Sequence, residues 1–343
     1  MPSNAARVVN LSSAEGTWGA ENPVVRVLHG VTEASLKIAD TIESPHLLGW
    51  IGHGPLSAET QQHGEGSLDL LATYEEAPVL LNMFFTAIGA STSAAAPYSY
   101  PYVAPVQTTQ VVHTLTMEYG TAGAAYTALG NIGTELTIKG EAGGMWNMSV
   151  ATLSKNIIAS SSGMASAFAT KSVRPVRMAD TTLSIDAFST GTMGATAVSA
   201  TLASFELGLK TGRHLKTFAG SLTPTAWGDG VMEGSLKLTA EFNASAKALV
   251  DEMLSTATGG VNNGSTGTFG KRQIRISATQ ATSSGLTVGT FTLDFAGVKT
   301  EGETLFSDRD GNMTVDLTYQ GLYSTALGNW FAATVVNGTS STT

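Results

Sequence analysis

Two stretches decide how the chain is read: Glu65-Gly66-Ser67-Leu68-Asp69-Leu70-Leu71-Ala72-Thr73-Tyr74 and Glu233-Gly234-Ser235-Leu236-Lys237-Leu238-Thr239-Ala240-Glu241-Phe242. At an offset of 168 residues the Glu, Gly, Ser, Ala and two Leu are identical, and Tyr74 meets Phe242. Apolar and polar residues alternate through Ser67–Leu70 and Ser235–Leu238, the pattern of a half-buried strand. Carried forward, the offset pairs Leu81 with Leu249 and Phe85 with Met253. A second anchor sets Asn147-Met148-Ser149-Val150 against Asn312-Met313-Thr314-Val315 at offset 165. A third sets Leu36-Lys37-Ile38 beside Leu207-Gly208-Leu209. Anchors kept in order predict a tandem duplication of a unit of roughly 165 residues.

Each copy reads as the same series of elements. Alternating stretches open it, with Val25 and Val27 in one copy and Leu183 and Ile185 in the other. A strand at Leu36/Ile38 or Leu207/Leu209 follows, then a long polar loop, 41–64 or 211–233, and then the strand of the repeated motif. A helix is expected next. Glu75, Glu76 and Pro78 suit a first turn, and Leu80, Leu81, Phe84, Phe85 and Ile88 fall on one face. In the second copy Asn243 is the expected N-cap, with Leu249, Val250, Met253 and Leu254 on the apolar face. Gly89 and Gly259-Gly260 end the two helices, and low-complexity loops 90–107 and 259–270 lead into closing strands around residues 113–117 and 273–277. The expected core of the repeat is Leu68, Leu70, Tyr74, Leu81 and Phe85 with Leu236, Leu238, Phe242, Leu249 and Met253.

The predicted fold is mainly β, with two tandem β-sandwich or barrel domains, each carrying a flanking helix. The boundaries are an N-terminal arm 1–20, a first domain 21–157, a linker 158–178, a second domain 179–336 and a tail 337–343. Arm and tail are expected to be disordered or ordered by assembly. The linker turns basic at Lys171, Arg174 and Arg177.

Composition narrows the function. Of 343 residues only 13% are charged, while 42% are apolar and 38 are Gly; about 25% charged is usual. That balance excludes a disordered chain. There are no cysteines, which removes disulfides, thiol nucleophiles and thiolate zinc sites. No apolar run is long enough for a membrane helix, and residues 1–12 lack the pattern of a signal peptide. The net charge of −9 argues against a sequence-reading DNA binder. Residues 1–168 hold 5 basic and 13 acidic residues and residues 169–343 hold 13 and 14, so the copies differ in charge.

No motif carries catalysis. His46, His53 and His63 share a loop without metal-ligand spacing. Gly228-Asp229-Gly230 precedes a strand and not a helix, so a turn is expected and not a dinucleotide fingerprint. Asp308-Arg309-Asp310-Gly311-Asn312 lacks the closing glutamate of a calcium loop and is expected to be a hairpin turn. No serine sits in a nucleophile elbow. No enzyme activity, metal or cofactor is expected.

With its Gly-rich loop, "E-G-S-L" strand and expected amphipathic helix, present twice, the chain resembles the major tail tube proteins of long, flexible-tailed (siphovirus-type) bacteriophages. The resemblance implies a structural virion protein, built in the bacterial host cytoplasm, whose rings stack into a hollow tail tube. A duplicated subunit implies pseudo-hexameric rings of three chains. It also implies genomic DNA passing through the lumen without sequence-specific binding, and no membrane. Implied partners are further copies of the chain, a tape-measure protein, a tail terminator and a distal tail protein. In this frame the two long loops are expected to stack ring on ring, through Gln61, Gln62, His63 and Gly64 and through Trp227, Gly228, Asp229 and Gly230. Tyr98, Tyr100 and Tyr102 are expected at a subunit contact. The alternative, from composition, is a secreted or surface β-rich adhesin or S-layer-like protein.

Overall fold

The computed structural model describes residues 8–43, 58–89, 91–121, 124–159, 164, 172–188, 191–198, 202–243, 270–280, 288–300, 307–309 and 312–340. The chain is mainly β. In order, its strands are β1 (Val8–Ala14), β2 (Val24–Val27), β3 (Val31–Glu43), β4 (Ala58–Leu71), β5 (Tyr98–Val103), β6 (Leu115–Thr121), β7 (Ala124–Glu141), β8 (Asn147–Ser154), β9 (Asn156–Ala159) and β10 (Thr181–Ala187). They continue with β11 (Ala197–Val198), β12 (Leu202–Lys210), β13 (His214–Lys216), β14 (Ala226–Gly228), β15 (Glu233–Glu241), β16 (Lys271–Gln280), β17 (Gly289–Lys299), β18 (Ser307–Arg309), β19 (Asn312–Gly321) and β20 (Phe331–Asn337). Among the described residues one α-helix, α1 (Ala77–Leu81), lies between β4 and β5, and a single 3-10 turn spans Met178–Asp180.

The repeated motif forms β4 and β15. In β15 Leu236, Leu238 and Ala240 are buried while Lys237 and Glu241 face water, as the period of two requires. Pairing is antiparallel throughout. In the first half β2 pairs with β1, β1 with β6, β6 with β7, and β7 with β8 and β9; β8 pairs with β4 and β4 with β3. In the second half β11 pairs with β10, β10 with β16, β16 with β17, and β17 with β19 and β20; β19 pairs with β15 and β15 with β12. The same sequence of pairings therefore occurs in both halves.

The ladders correct two of the sequence anchors. Leu68 lies opposite Val150 and Leu236 opposite Tyr319, so Val150 corresponds to Tyr319 and not to Val315. The similar tetrapeptides Asn147–Val150 and Asn312–Val315 thus occupy different rungs. Likewise Leu36 lies opposite Gly66 and Leu209 opposite Gly234. Leu36 therefore matches Leu209, and Glu33-Ala34-Ser35-Leu36-Lys37 aligns with Glu206-Leu207-Gly208-Leu209-Lys210.

Two ladders cross between the halves. β7 pairs with β12 over seven rungs, from Ser204 opposite Glu141 to Lys210 opposite Glu135. β5 pairs with β20, with Pro101 opposite Thr334. The core is shared in the same way. Trp146 packs edge-on against Phe205 at 4.8 Å and lies 5.4 Å from Phe291. Phe85 stacks on Phe331 at 5.5 Å.

The expected first helix is much shorter than its periodicity implies. After Leu81 the chain leaves the helix, because Asn82 takes over its backbone partners: its Oδ1 accepts from the Ile88 N–H at 2.9 Å and its Nδ2 donates to the Ile88 carbonyl at 3.2 Å. The Ala87 N–H turns to the Val111 carbonyl at 2.8 Å. Every residue of α1 is buried, so it plugs the core instead of flanking a sheet. The expected second helix, with Leu249 and Met253, lies outside the described residues. The expected loop 90–107 contains β5, and Tyr100 and Tyr102 are core residues. The N-terminal arm is not free either: Val9 and Leu11 of β1 are fully buried, and β1 pairs on both edges. In β2 the expected alternation is inverted, with Arg26 buried and Val25 exposed.

Candidate assembly surface

The residues expected in the first stacking loop are strand residues. β3 and β4 form a hairpin arm paired from Val31–Leu70 to Glu43–Ala58, so Gln61, Gln62, His63 and Gly64 lie in β4 opposite Thr41, Asp40, Ala39 and Ile38. The far part of the arm is exposed and polar. Gly64 is set by close packing, because a Cβ there would meet Ser154 Oγ at 2.1 Å and Ile157 Cγ1 at 2.8 Å. His63 Nε2 is 3.7 Å from Glu65 Oε1.

The second expected loop folds back on itself through the two-stranded sheet β13–β14, where His214 lies opposite Gly228 and Leu215 opposite Trp227. Its anchor is Arg213, whose side chain is only 1% exposed. The guanidinium donates to the carbonyls of Met83 at 2.5 Å, Phe84 at 2.9 Å and Gly133 at 3.0 Å. Its Nε donates to Asp229 Oδ1 at 2.9 Å, and the group lies 5.6 Å from the centre of the Trp227 ring. Gly230 fits where a Cβ would strike the Gly212 carbonyl at 2.3 Å. Sequence reading missed Arg213. The sole hint was a basic residue just after the "E-L-G-L-K" strand. The structure brings the two expected loops together at the arm: the Gln62 N–H donates to the Leu222 carbonyl at 2.9 Å, and Gln61 Nε2 donates to Thr217 Oγ1 at 3.2 Å.

Of the basic residues of the expected linker, Arg174 and Arg177 are paired inside the chain, and Lys171 lies outside the described residues. Arg174 donates from its backbone N–H and its Nε to the Glu75 carboxylate at 2.7 and 2.9 Å, and Arg177 forms two bonds with Asp180. The stretch around them is threaded through the fold, with the Val176 N–H on the Ala72 carbonyl and the Trp146 N–H on the Val176 carbonyl, both at 2.8 Å. The first residue of the expected tail is also held: Asn337 Nδ2 donates to the Tyr74 carbonyl at 2.7 Å.

Of the expected repeat core, Leu68, Leu70, Tyr74, Leu81, Phe85, Leu236 and Leu238 are buried, and Phe242 packs partly buried against them. Two histidines lie beside this core. His29 Nδ1 lies 2.8 Å from Glu76 Oε1. The His113 N–H donates to the Asn82 carbonyl at 2.8 Å, and burial lowers the pKa of its imidazole.

What remains open is the edge of the sheet. The order β3–β4–β8–β7–β12–β15–β19 ends at one side with β3 and at the other with β18, which pairs with β19. Among the described residues β3 pairs with β4 alone and β18 with β19 alone. Beside β3 lies an apolar cleft of about 460 Å³ lined by Val9, Leu36, Ile38, Tyr119, Tyr126 and Ile157. Ile38 and Tyr126 of its lining are exposed, as is Ile42 further out on β3. Unpaired strand edges and an apolar cleft are features of a surface that other chains add to. No family model and no curated protein sequence matches this chain.

Proposed function

We propose that the chain is a structural subunit of a phage tail tube, with a duplicated tube domain, that assembles into stacked rings of three chains around a channel for DNA. The observation that carries this reading is the internal seam. Two halves with the same order of strand pairings are joined edge to edge through β7 and β12, and among the described residues the combined sheet ends in open edges. A sheet made of two like units joined in this way extends itself by adding a further copy, and closing it into a ring removes the edges. The recurrence of pairings likewise supports a tandem duplication. A net charge of −9 suits a wall along which DNA slides instead of adhering. The tape-measure protein, tail terminator and distal tail protein belong to the same proposal, as does virion localisation. So does a purely structural role without catalysis.

Negative-stain electron microscopy of the purified protein over a range of concentrations tests it. Hollow rings or tubes of uniform width are expected. Particles that stay monomeric throughout would overturn self-driven ring formation and favour the surface adhesin or S-layer-like reading.

A further inference from the structure

Strand β2 turns its one charged residue inward. In Val24-Val25-Arg26-Val27 the side chain at 25 is exposed, while Arg26, paired with Leu11 of β1, is only 8% exposed. The guanidinium Nε of Arg26 is buried without a hydrogen-bond partner, and among the described residues the side chain makes no ion pair. A charge taken out of water without a partner is costly, and buried charges are ordinarily paired. Burial accordingly lowers the pKa of Arg26, and the attraction of Glu76 offsets this only in part. The nearby carboxylates are already committed. Glu75 accepts from the backbone N–H and the Nε of Arg174 at 2.7 and 2.9 Å. Glu76 Oε1 accepts from the His29 backbone N–H and lies against His29 Nδ1, both at 2.8 Å, and Oε2 accepts from Thr73 Oγ1 at 3.3 Å. Arg26 is the cation left without an acceptor.

Arg26 lines a cleft of about 280 Å³. Val25, Val27 and Val173 form apolar walls of this cleft, and His29, Glu75 and Glu76 stand on its polar side. We propose that the cleft is a binding site for a small monocarboxylate with a short carbon stem, held by Arg26. The planar guanidinium presents parallel N–H groups that match the two oxygens of a carboxylate. The valines suit the stem. One unpaired cation beside two carboxylates favours a ligand with a single negative charge, because a dianion such as phosphate meets the repulsion of Glu75 and Glu76. A bound carboxylate supplies the acceptor that the buried Nε lacks. The site lies within one chain and does not depend on ring assembly.

Isothermal titration calorimetry with sodium propionate at constant ionic strength tests this, with propionamide and inorganic phosphate as comparison probes. Propionate is expected to bind the wild type, and the other two to bind it about ten-fold more weakly or less. Arg26→Gln and Arg26→Met are expected to weaken propionate binding by about ten-fold or more, and Arg26→Lys to retain part of it. Glu76→Gln is expected to tighten it, since a carboxylate leaves the lining. Urea titration gives a second reading that needs no calorimetric signal. Without propionate, Arg26→Met is expected to be at least as stable as the wild type, because it removes a buried charge that lacks a partner. With propionate, the urea midpoint of the wild type is expected to rise and that of Arg26→Met to stay in place. Equal binding by the wild type and Arg26→Gln, equal binding of propionamide, or a wild type that gains no stability from propionate overturns the proposal. So does an Arg26→Met variant that loses stability without propionate, which would show that the protein itself satisfies the guanidinium. Propionate that binds only by dissociating associated chains also overturns it, since the cleft would then be filled by an acidic side chain of another copy.

Discussion

Arg213 is the residue on which separate parts of the chain converge. It ties the turn after α1, through Met83 and Phe84, to β7 at Gly133 and to Asp229 just after β14. Its charge is buried, and it is tolerable there because a carboxylate and three carbonyls surround it. Arg213→Met removes the cation that faces Asp229 and its bonds to the Met83, Phe84 and Gly133 carbonyls, and a loss of about 3–5 kcal/mol is expected by urea titration. Arg213→Lys should recover only part, since a single ammonium cannot span four acceptors in the plane of the guanidinium. Glu76 gives a pH-dependent counterpart. Burial pushes its carboxyl above its ordinary value of 4.5, against the opposing hydrogen bonds from His29 and Thr73. A carboxyl raised in the folded state holds its proton there after the unfolded chain has released it. Stability is then greatest below 4.5 and falls as pH rises toward the folded value. Measured against Glu76→Gln by urea titration at several pH values, the wild type is therefore expected to lose ground as pH rises from 4.5. Parallel stability curves would refute the assignment.

Single elements explain what the sequence could and could not reveal. β15 was legible because its two faces differ, apolar inward and polar outward. The arm of β3 and β4 was not, because beyond Ile38 and Gly64 most of its residues are polar or small on both faces and no alternation marks a strand. Its backbone groups are satisfied by the ladder regardless of side chains. The helical period from Leu80 to Ile88 was real as burial but misleading as conformation, since Asn82 competes for the backbone that a helix would use. β5 was hidden by Pro101. Proline removes a ladder donor and is tolerated only where one edge is free, and β5 pairs with β20 alone among the described residues. Its neighbour has no such freedom: Thr334 lies between Pro101 of β5 and Thr292 of β17. Thr334→Pro is expected to cost about 3 kcal/mol or more, read as a fall in the urea midpoint. A neutral outcome would mean that β5 does not hold β20 in place. The open edge of β3 was the least visible feature. The likeness of Glu33 and Lys37 to Glu206 and Lys210 became readable only once the ladders aligned β3 with β12.

At the scale of the whole molecule, the halves were read as two domains joined by a linker, yet the contacts between them resemble those within each. Seven rungs join β7 to β12, and six join β20 to β5. Trp146 of the first half packs against Phe205 and Phe291 of the second, and Phe85 stacks on Phe331. Pulling the halves apart would bare these aromatics, open one edge of β7 and of β12, and part β5 from β20. Unfolding is therefore expected to be one transition, with far-ultraviolet circular dichroism and tryptophan fluorescence following the same curve in urea. The fragments 1–168 and 169–343 should each fail to fold separately and regain structure when mixed. Two resolved transitions, or a fragment with its own cooperative melt, would show that the halves are autonomous and joined only at their edges.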